Sequence, residues 1–203
     1  MSKNENPSKG HHVRFLFDPA CPWAWRASLW IRAVAGVRPL TIQWDLLSLE
    51  YLNRENRDDP HRELHRKTRH AVRLLAKAEE VEGNEGMGRL YMAIGVARYE
   101  KDLELDDPQV LLGALKEAGL PYSLLEEARV DPTLDTRLQK VYQEACAVGA
   151  FGVPTLFFDH RDSPYFGPVI DTVPDDSKAG QLWDLILELS HHEYFYELKR
   201  KRQ

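Results

Sequence analysis

Cysteine is scarce in this 203-residue chain, and only Cys21 and Cys146 occur. Two cysteines cannot supply the dense disulfide framework of a small secreted domain. The chain also lacks the run of about 18 apolar residues that a membrane-spanning helix needs. Residues 1–12 are polar and contain no apolar core of a secretory signal. We therefore expect residues 1–12 to be a disordered lead, and the protein to lie in the reducing cytoplasm without a membrane partner.

Basic residues also do not outnumber acidic residues in this chain. The net charge of −5 and the pI of about 5.9 argue against nucleic acid as the main partner. The basic run 199–202 is predicted to be a solvated tail. A glycine-rich phosphate loop and a Ser/His/Asp arrangement are not recognisable. His61 and His65 share a helix face, but no third ligand accompanies them, so we predict a solvated charged helix and no metal site.

Hydrophobic periodicity predicts a mixed α/β chain. Residues 13–17 form a short apolar run that is typical of a buried strand, and a helix should follow from Pro22. Residues 40–46 alternate between apolar and polar side chains, which predicts a half-buried strand. From residue 49 to 131 the spacing of apolar residues is helical throughout.

The strand signal returns only in the last third of the chain. A helix is expected after Asp131, then strands over 155–158 and 165–170, and a final helix over 176–190. The resulting order, β-α-β, helical block, α-β-β-α, predicts one α/β domain that is interrupted by a helical insertion. Apolar spacing predicts that the inward face of the final helix is formed by Leu182, Leu185, Ile186 and Leu189.

Cys21 is the strongest candidate for a catalytic residue. It ends the loop after the first strand, and Pro22 suits the first position of the following helix. This placement brings the sulfur to unpaired backbone N–H groups and to the positive end of the helix dipole, which both favour a thiolate. An ordinary thiol with a pKa of about 8.5 is only about 3% ionised at neutral pH, whereas a pKa near 6 gives about 90%.

A second motif, Gly152-Val153-Pro154-Thr155, stands directly before an apolar strand. Alone it reads as a turn proline, because only a small minority of X–Pro bonds are cis. Together with Cys21-Pro22-Trp23 it resembles the DsbA-like branch of the thioredoxin superfamily. The similarity is greatest to the mycothiol-dependent nitroreductase-type proteins, and it extends to Phe17-Asp18-Pro19, Trp25, the run Asn53 to Asp59, Phe166-Gly167-Pro168-Val169 and Glu197-Leu198-Lys199-Arg200.

The resemblance implies a thioredoxin fold with residues 13–48 and 132–203 in the thioredoxin-like domain and residues 49–131 in an inserted all-helical subdomain. It implies a cis peptide bond between Val153 and Pro154 beside the Cys21 sulfur, with the Val153 backbone pairing with an incoming thiol or peptide. The expected substrate-binding and thiol-binding residues are therefore Pro22, Trp23, Val153, Pro154 and Thr155. The implied co-substrate is a small thiol, mycothiol or glutathione, and no tightly bound cofactor is expected.

One departure from the family pattern changes the expected mechanism. Dithiol members carry Cys-Pro-Trp-Cys, and the fourth position here is Ala24, so no disulfide can form within the motif. A mixed disulfide on Cys21 must then be resolved by an external thiol or by Cys146. Cys146 lies beside the apolar stripe of its helix, and a buried structural thiol is its simpler interpretation.

Three functions remain open at this point. The first is a monothiol oxidoreductase or thiol transferase that uses Cys21 as its nucleophile. The second is a thiol-cofactor enzyme like the kappa-type glutathione transferases and hydroxychromene-carboxylate isomerases, which usually carry serine at the position of Cys21. The third is a non-catalytic binding module on the same fold, which would keep its partner after Cys21→Ser.

Overall fold

The computed structural model describes residues 10–201, so residues 1–9 of the expected lead lie outside it. Within this range the strands are β1 (His11–Phe17), β2 (Leu40–Leu46), β3 (Thr155–Phe158) and β4 (Tyr165–Phe166). They form a four-stranded sheet of order β2-β1-β3-β4. Strand β2 runs parallel to β1, whereas β3 is antiparallel to both β1 and β4.

Helix α1 (Pro22–Val37) connects β1 to β2, and α7 (Asp176–Ser190) follows β4. The segment between β2 and β3 is helical, and the observed order therefore agrees with the prediction. None of the helices within residues 10–201 combines the length and the apolar character that crossing a bilayer requires. The segment between β2 and β3 contains α2 (Leu49–Asn53), α3 (Arg62–Gly95), a π-helical turn (Val96–Glu100), α4 (Pro108–Ala118), α5 (Ser123–Val130) and α6 (Thr133–Ala147).

The predicted strand ends are wrong in two places. Strand β1 starts at His11 rather than Val13, because the His11 N–H donates to the Pro39 carbonyl at 2.8 Å and extends the pairing with β2. The last strand ends at Phe166 rather than at residue 170. Gly167 adopts a φ of 110°, and Pro168 has no N–H to donate to a ladder.

The inward face of α7 also differs from the prediction. Its buried residues include Ala179 and Trp183, because the small Ala179 lets α7 approach α1 closely. The Trp30 indole of α1 donates to the Ala179 carbonyl at 3.2 Å. Of the residues predicted to point inward, Leu182 and Ile186 are half-buried, and Leu185 and Leu189 are 64% and 38% exposed.

Helix α3 packs against the end of β1 and the start of α1. The Tyr91 ring stacks on Phe17 with 3.8 Å between centroids, and it meets Trp25 edge-on at 6.1 Å. One turn later, Gly95 lies directly against the Trp25 ring. The backbone of α3 and the indole therefore occupy a space that leaves no room for a side chain at position 95.

We expect Gly95→Ala to lower the free energy of unfolding by about 2 kcal/mol, because a Cβ there would overlap the buried Trp25 ring. Urea denaturation followed by circular dichroism measures this change. Gly113→Ala in α4 is the matched control, because its Cβ would meet nothing within 4 Å. The control should raise stability by up to about 1 kcal/mol, since alanine favours a helix over glycine. Equal effects of the two substitutions would contradict the packing argument.

Candidate active site

Cys21 is placed by the end of β1 and the start of α1. It is the N-cap residue of α1, and Pro22 occupies the first helical position. The Ala24 N–H points to the Cys21 sulfur at a distance of 3.4 Å. Only 8% of Cys21 is exposed, so a ligand can reach the sulfur from a narrow range of directions. The local sequence thus sets the thiol at the positive end of a helix, where negative charge is stabilised.

The second predicted motif lies against the same sulfur. The Cys21 Sγ donates to the Val153 carbonyl at 3.5 Å, and the Val153–Pro154 peptide bond is cis. Gly167, directly after the edge strand β4, fixes the position of Pro154, because its N–H donates to the Pro154 carbonyl at 2.8 Å. Thr155 is 1% exposed, and its hydroxyl donates to the Gly152 carbonyl at 2.7 Å. The Thr155 side chain is therefore turned inward, and its backbone lies between Leu16 of β1 and Phe166 of β4, so that Thr155 leaves almost no surface for a ligand.

Trp23 and Pro22 lie on the open side of Cys21. Pro22 is exposed and Trp23 is half-buried. The guanidinium of Arg26, which is one helical turn beyond Trp23, lies over the Trp23 ring at 5.0 Å from its centroid. Such a stack of a cation on an indole face is favourable in a partly solvated position. The indole of Trp23, an expected ligand-binding residue, is thus covered by the positive charge of Arg26.

Asp18 is a site residue that the sequence reasoning did not single out. It is 2% exposed, and its two carboxylate oxygens accept the N–H groups of Ala20 and Leu49, each at 2.7 Å. Burial raises the pKa of the Asp18 carboxyl, although both backbone hydrogen bonds and the charge of His65 oppose this shift. Asp18 therefore joins the Cys21 loop to the start of α2. In the sequence, Asp18 is a single carboxylate next to the apolar run 13–17, and this feature could have identified it as a candidate site residue.

Tyr99 supports the same loop from the π-helical turn. Its hydroxyl donates to the Pro19 carbonyl at 2.8 Å, and its ring stacks on Trp25 with centroids 6.0 Å apart. Burial, and then the nearby Cys21 and Asp18, raise the pKa of Tyr99, so the phenol keeps its proton and remains a donor. A π-helical turn inserts one extra residue per turn and is frequent at functional sites. Periodicity alone does not reveal it.

Cys146 lies on α6 and is half-buried. Within residues 10–201, neither Cys21 nor Cys146 takes part in a disulfide. The sequence analysis gave Cys146 two roles, a structural thiol and a resolving thiol. Since no disulfide joins it to Cys21, its part in the chemistry stays a prediction.

The predicted solvated histidine helix is wrong for His65. The His65 side chain is 6% exposed, and its Nδ1 lies 3.0 Å from a carboxylate oxygen of Asp59, which is equally buried. Asp59 ends the run Asn53 to Asp59 that carries part of the family resemblance. Within residues 10–201, the structure contains no group of three or more His, Cys, Asp or Glu side chains that could hold a metal ion.

An exposed aromatic pair flanks the second motif. The rings of Phe151 and Phe166 stack at 5.2 Å, and the two residues are 69% and 41% exposed. Position 152 also requires glycine, because a Cβ there would lie 2.9 Å from the Phe166 ring. The sequence analysis did not identify this apolar patch beside Val153.

The β-α-β and β-β-α halves, joined in one sheet with a cysteine at the start of the first helix, define a thioredoxin fold of the DsbA-like kind. The model of the Rv2466c-like family, described as "Mycothiol-dependent nitroreductase Rv2466c", matches residues 20–200. The chain belongs to this family. The resemblance inferred from the sequence motifs is thereby confirmed.

Similar proteins agree with this assignment. Rv2286c of Mycobacterium tuberculosis is 31% identical over 191 residues, which cover 94% of this chain and 82% of that protein. The probable DsbA oxidoreductase SCO1869 from Streptomyces coelicolor has a TM-score of 0.62 at 17% identity and covers 94% of each chain. The cytosolic disulfide reductase DsbM from Pseudomonas aeruginosa, solved with GSH, has a TM-score of 0.57 at 18% identity, covering 87% of this chain and 99% of that chain.

A 2-hydroxychromene-2-carboxylate isomerase is also similar. Its TM-score is 0.63 at 16% identity, and the match covers 89% of this chain and 96% of that chain. At such identities the solved structures establish the fold, and the activity has to be argued from the site itself.

Proposed function

We propose that this protein is a thiol-disulfide oxidoreductase or thiol transferase in which Cys21 is the nucleophile and a small thiol, mycothiol or glutathione, resolves the intermediate. The observation that carries the proposal is the contact of the Ala24 N–H with the Cys21 sulfur at the N-terminus of α1. The family assignment supports a thiol co-substrate. A reducing, cytoplasmic setting is part of the proposal, and it fits two cysteines that form no disulfide within residues 10–201.

The first step is ionisation of Cys21. In the thiol form, the sulfur donates to the Val153 carbonyl and accepts from the Ala24 N–H. In the thiolate form, the Ala24 contact and the helix dipole remain, but the sulfur no longer has a proton to donate. The Val153 carbonyl is then released to accept an N–H from an incoming ligand, in the manner of an added strand. Ionisation and ligand binding are therefore coupled through Val153.

The second step is attack of the Cys21 thiolate on a disulfide. A bond forms between Cys21 and one sulfur of the substrate, the substrate S–S bond breaks, and the other half leaves as a thiolate. Because position 24 is alanine, the mixed disulfide has no second thiol within the motif. A small external thiol attacks it next and restores Cys21. Pro22, Trp23, Val153 and Pro154 border the space in which both exchanges would occur.

A thiol-cofactor enzyme is the second candidate, and the alanine at position 24 is the observation that favours it. Such an enzyme would bind its thiol without covalent exchange at Cys21. Intact-protein mass spectrometry after incubation with oxidised glutathione separates the two functions. A stable adduct on Cys21 supports exchange chemistry, whereas non-covalent binding alone supports the thiol-cofactor enzyme.

The pH dependence of alkylation tests the proposed nucleophile. We expect iodoacetamide to react with Cys21 with a midpoint clearly below the ordinary thiol pKa of about 8.5, because the helix N-terminus stabilises the thiolate. The Cys146 peptide, quantified in the same digest, serves as the internal reference for a cysteine that is not at a helix N-terminus. A midpoint for Cys21 at or above about 8.5 would overturn the proposal.

A further inference from the structure

The open side of Cys21 carries positive charge that the proposed exchange chemistry does not use. Arg26 is held over Trp23 at 5.0 Å, and Trp23 is two residues from the nucleophile. Among residues 10–201, Arg26 forms no ion pair with a carboxylate. In contrast, Arg98 is near Asp102 and Glu104, at 3.5 Å and 3.3 Å.

Tyr99 lies beside the Cys21 loop, and the charges of the same two arginine residues act on it. The hydroxyl of Tyr99 contacts the Pro19 carbonyl in the loop that leads to Cys21. The charges that act on this phenol include negative charge at Cys21 and Asp18 and the positive charges of Arg98 and Arg26. The carboxylate of Asp18 is buried and already accepts two backbone N–H groups. In contrast, the positive charge of Arg26 lies on the half-buried Trp23 ring.

The positive charge of Arg26 contrasts with the net charge of the whole protein, which is −5. A surface that is acidic on average repels anions, and a guanidinium without a carboxylate partner reverses this effect locally. The planar guanidinium also offers paired N–H donors that match a carboxylate or a phosphate. Stacking on Trp23 restricts Arg26, so less conformational entropy is lost when it binds an anion.

We propose that Arg26 is a specificity-determining residue that selects disulfide or electrophilic substrates with an anionic group near the reacting atom. The inference rests on the proposed function, because it concerns the substrate of the same thiol. In the exchange step, the Cys21 thiolate forms a bond to one sulfur of the substrate, and the other half leaves as a thiolate. Arg26 contacts the anionic substituent, whereas Cys21 contacts the reacting sulfur.

The test uses three small symmetric disulfides that differ in charge. Dithiodipropionate carries two carboxylates, bis(hydroxyethyl) disulfide is neutral, and cystamine carries two ammonium groups. The second-order rate of adduct formation on the Cys21 peptide is followed by mass spectrometry. Each rate is divided by the rate of the neutral probe, so that an altered thiolate fraction cancels. The leaving-group chemistry cancels when variants are compared with the same probe.

We expect Arg26→Gln to lower the relative rate of dithiodipropionate about fivefold at low ionic strength and to raise that of cystamine. Arg26→Lys should keep most of the preference, because it keeps the charge. In 0.5 M salt, the difference between the native protein and Arg26→Gln should shrink to less than about twofold, because salt screens exposed charges.

Arg161 provides the matched control. Its guanidinium lies over the Tyr165 ring at 5.2 Å, and within residues 10–201 it forms no ion pair with a carboxylate. It follows β3, whose residue Phe158 pairs with Val13 at the end of β1 that is remote from Cys21. Arg161→Gln therefore removes the same charge from the same kind of stack elsewhere, and the relative rates should not change.

Unchanged relative rates in Arg26→Gln, or an equal loss in Arg161→Gln, would overturn the assignment of Arg26. If none of the probes forms an adduct on Cys21, the proposed function fails and this inference fails with it. The two failures are thus distinguishable by the neutral probe.

Discussion

Replacing Ala24 by cysteine is expected to release mixed disulfides from Cys21 at least about 100-fold faster than in the native protein when no external thiol is present. Residue 24 is one helical turn beyond Cys21, and its N–H already contacts the Cys21 sulfur at 3.4 Å. A thiol held at this position attacks the mixed disulfide intramolecularly, and such proximity gives a large effective concentration. The product is a disulfide between residues 21 and 24.

The measurement starts from protein loaded with bis(hydroxyethyl) disulfide and freed of excess reagent. The decay of the Cys21 adduct is then followed by intact-protein mass spectrometry. Ala27→Cys is the matched control, because Ala27 is on the same helix, is equally buried at 0% exposure and lies one turn further from Cys21. An adduct that is as long-lived in Ala24→Cys as in the native protein would show that the helix does not bring the two positions together.

The second large effect is expected at Asp18. Asp18→Ala should lower the free energy of unfolding by about 3 kcal/mol at pH 7, because it removes both acceptors and leaves two N–H groups without them. Asp18→Asn should cause a smaller loss of about 1 kcal/mol, since its carbonyl keeps one bond and the buried charge is gone. Chemical denaturation of the three proteins measures the differences. Equal losses for the alanine and asparagine variants would contradict the role of the two hydrogen bonds.

The pH dependence of the Asp18 effect has a defined sign. Burial raises the pKa of Asp18 in the folded protein above its unfolded value, so the folded state binds more protons between these two values. The part of the stability that depends on protonation of Asp18 is therefore fully present below the unfolded pKa of about 3.9 and is lost as pH rises through the folded pKa, whereas the two hydrogen bonds to Asp18 remain at pH 7. The native protein should lose stability relative to Asp18→Asn over this interval.

Asp184→Asn is the control for this measurement, because the contribution of Asp184 to stability changes with pH in the opposite direction. The hydrogen bond from Arg38 lowers the pKa of Asp184, so its contribution is present above the unfolded pKa and is lost as pH falls through the folded pKa. The pair is exposed, and its effect should be below about 1 kcal/mol. If both variants showed the same slope with pH, the burial of Asp18 would not be the cause.

Much of the fold was predictable from the sequence because local signals agree with the tertiary packing. The alternation in 40–46 and the apolar run in 155–158 gave strands at the observed positions. Asp107 and Gly119 are local signals for the ends of a helix, and in the structure they are the capping carboxylate and the left-handed residue, at φ 67°, that bound α4. Cys21 and the Val153 motif are brought together as the family resemblance implied.

The remaining features depend on contacts between distant parts of the chain. Helix α7 carries two apolar faces, and only the shape of α1 decides that Trp183 is buried while Leu185 is exposed. His65 has the composition of a solvated helix around it, yet Asp59 from the preceding loop pairs with it. Tyr99 and Leu49 reach the Cys21 loop from segments that no local pattern connects to it.

The last of these contacts decides how small a working version of this protein can be. Leu49 and Tyr99 both belong to residues 49–131, which the sequence predicts as an insertion, and they donate to Asp18 and Pro19. A shortened chain that kept only the sheet and its adjoining helices would retain Cys21, the proposed nucleophile, but lose both donors that fix its loop. For transplanting this thiol chemistry into another scaffold, the minimal transferable unit therefore includes the helical segment as well as the cysteine motif.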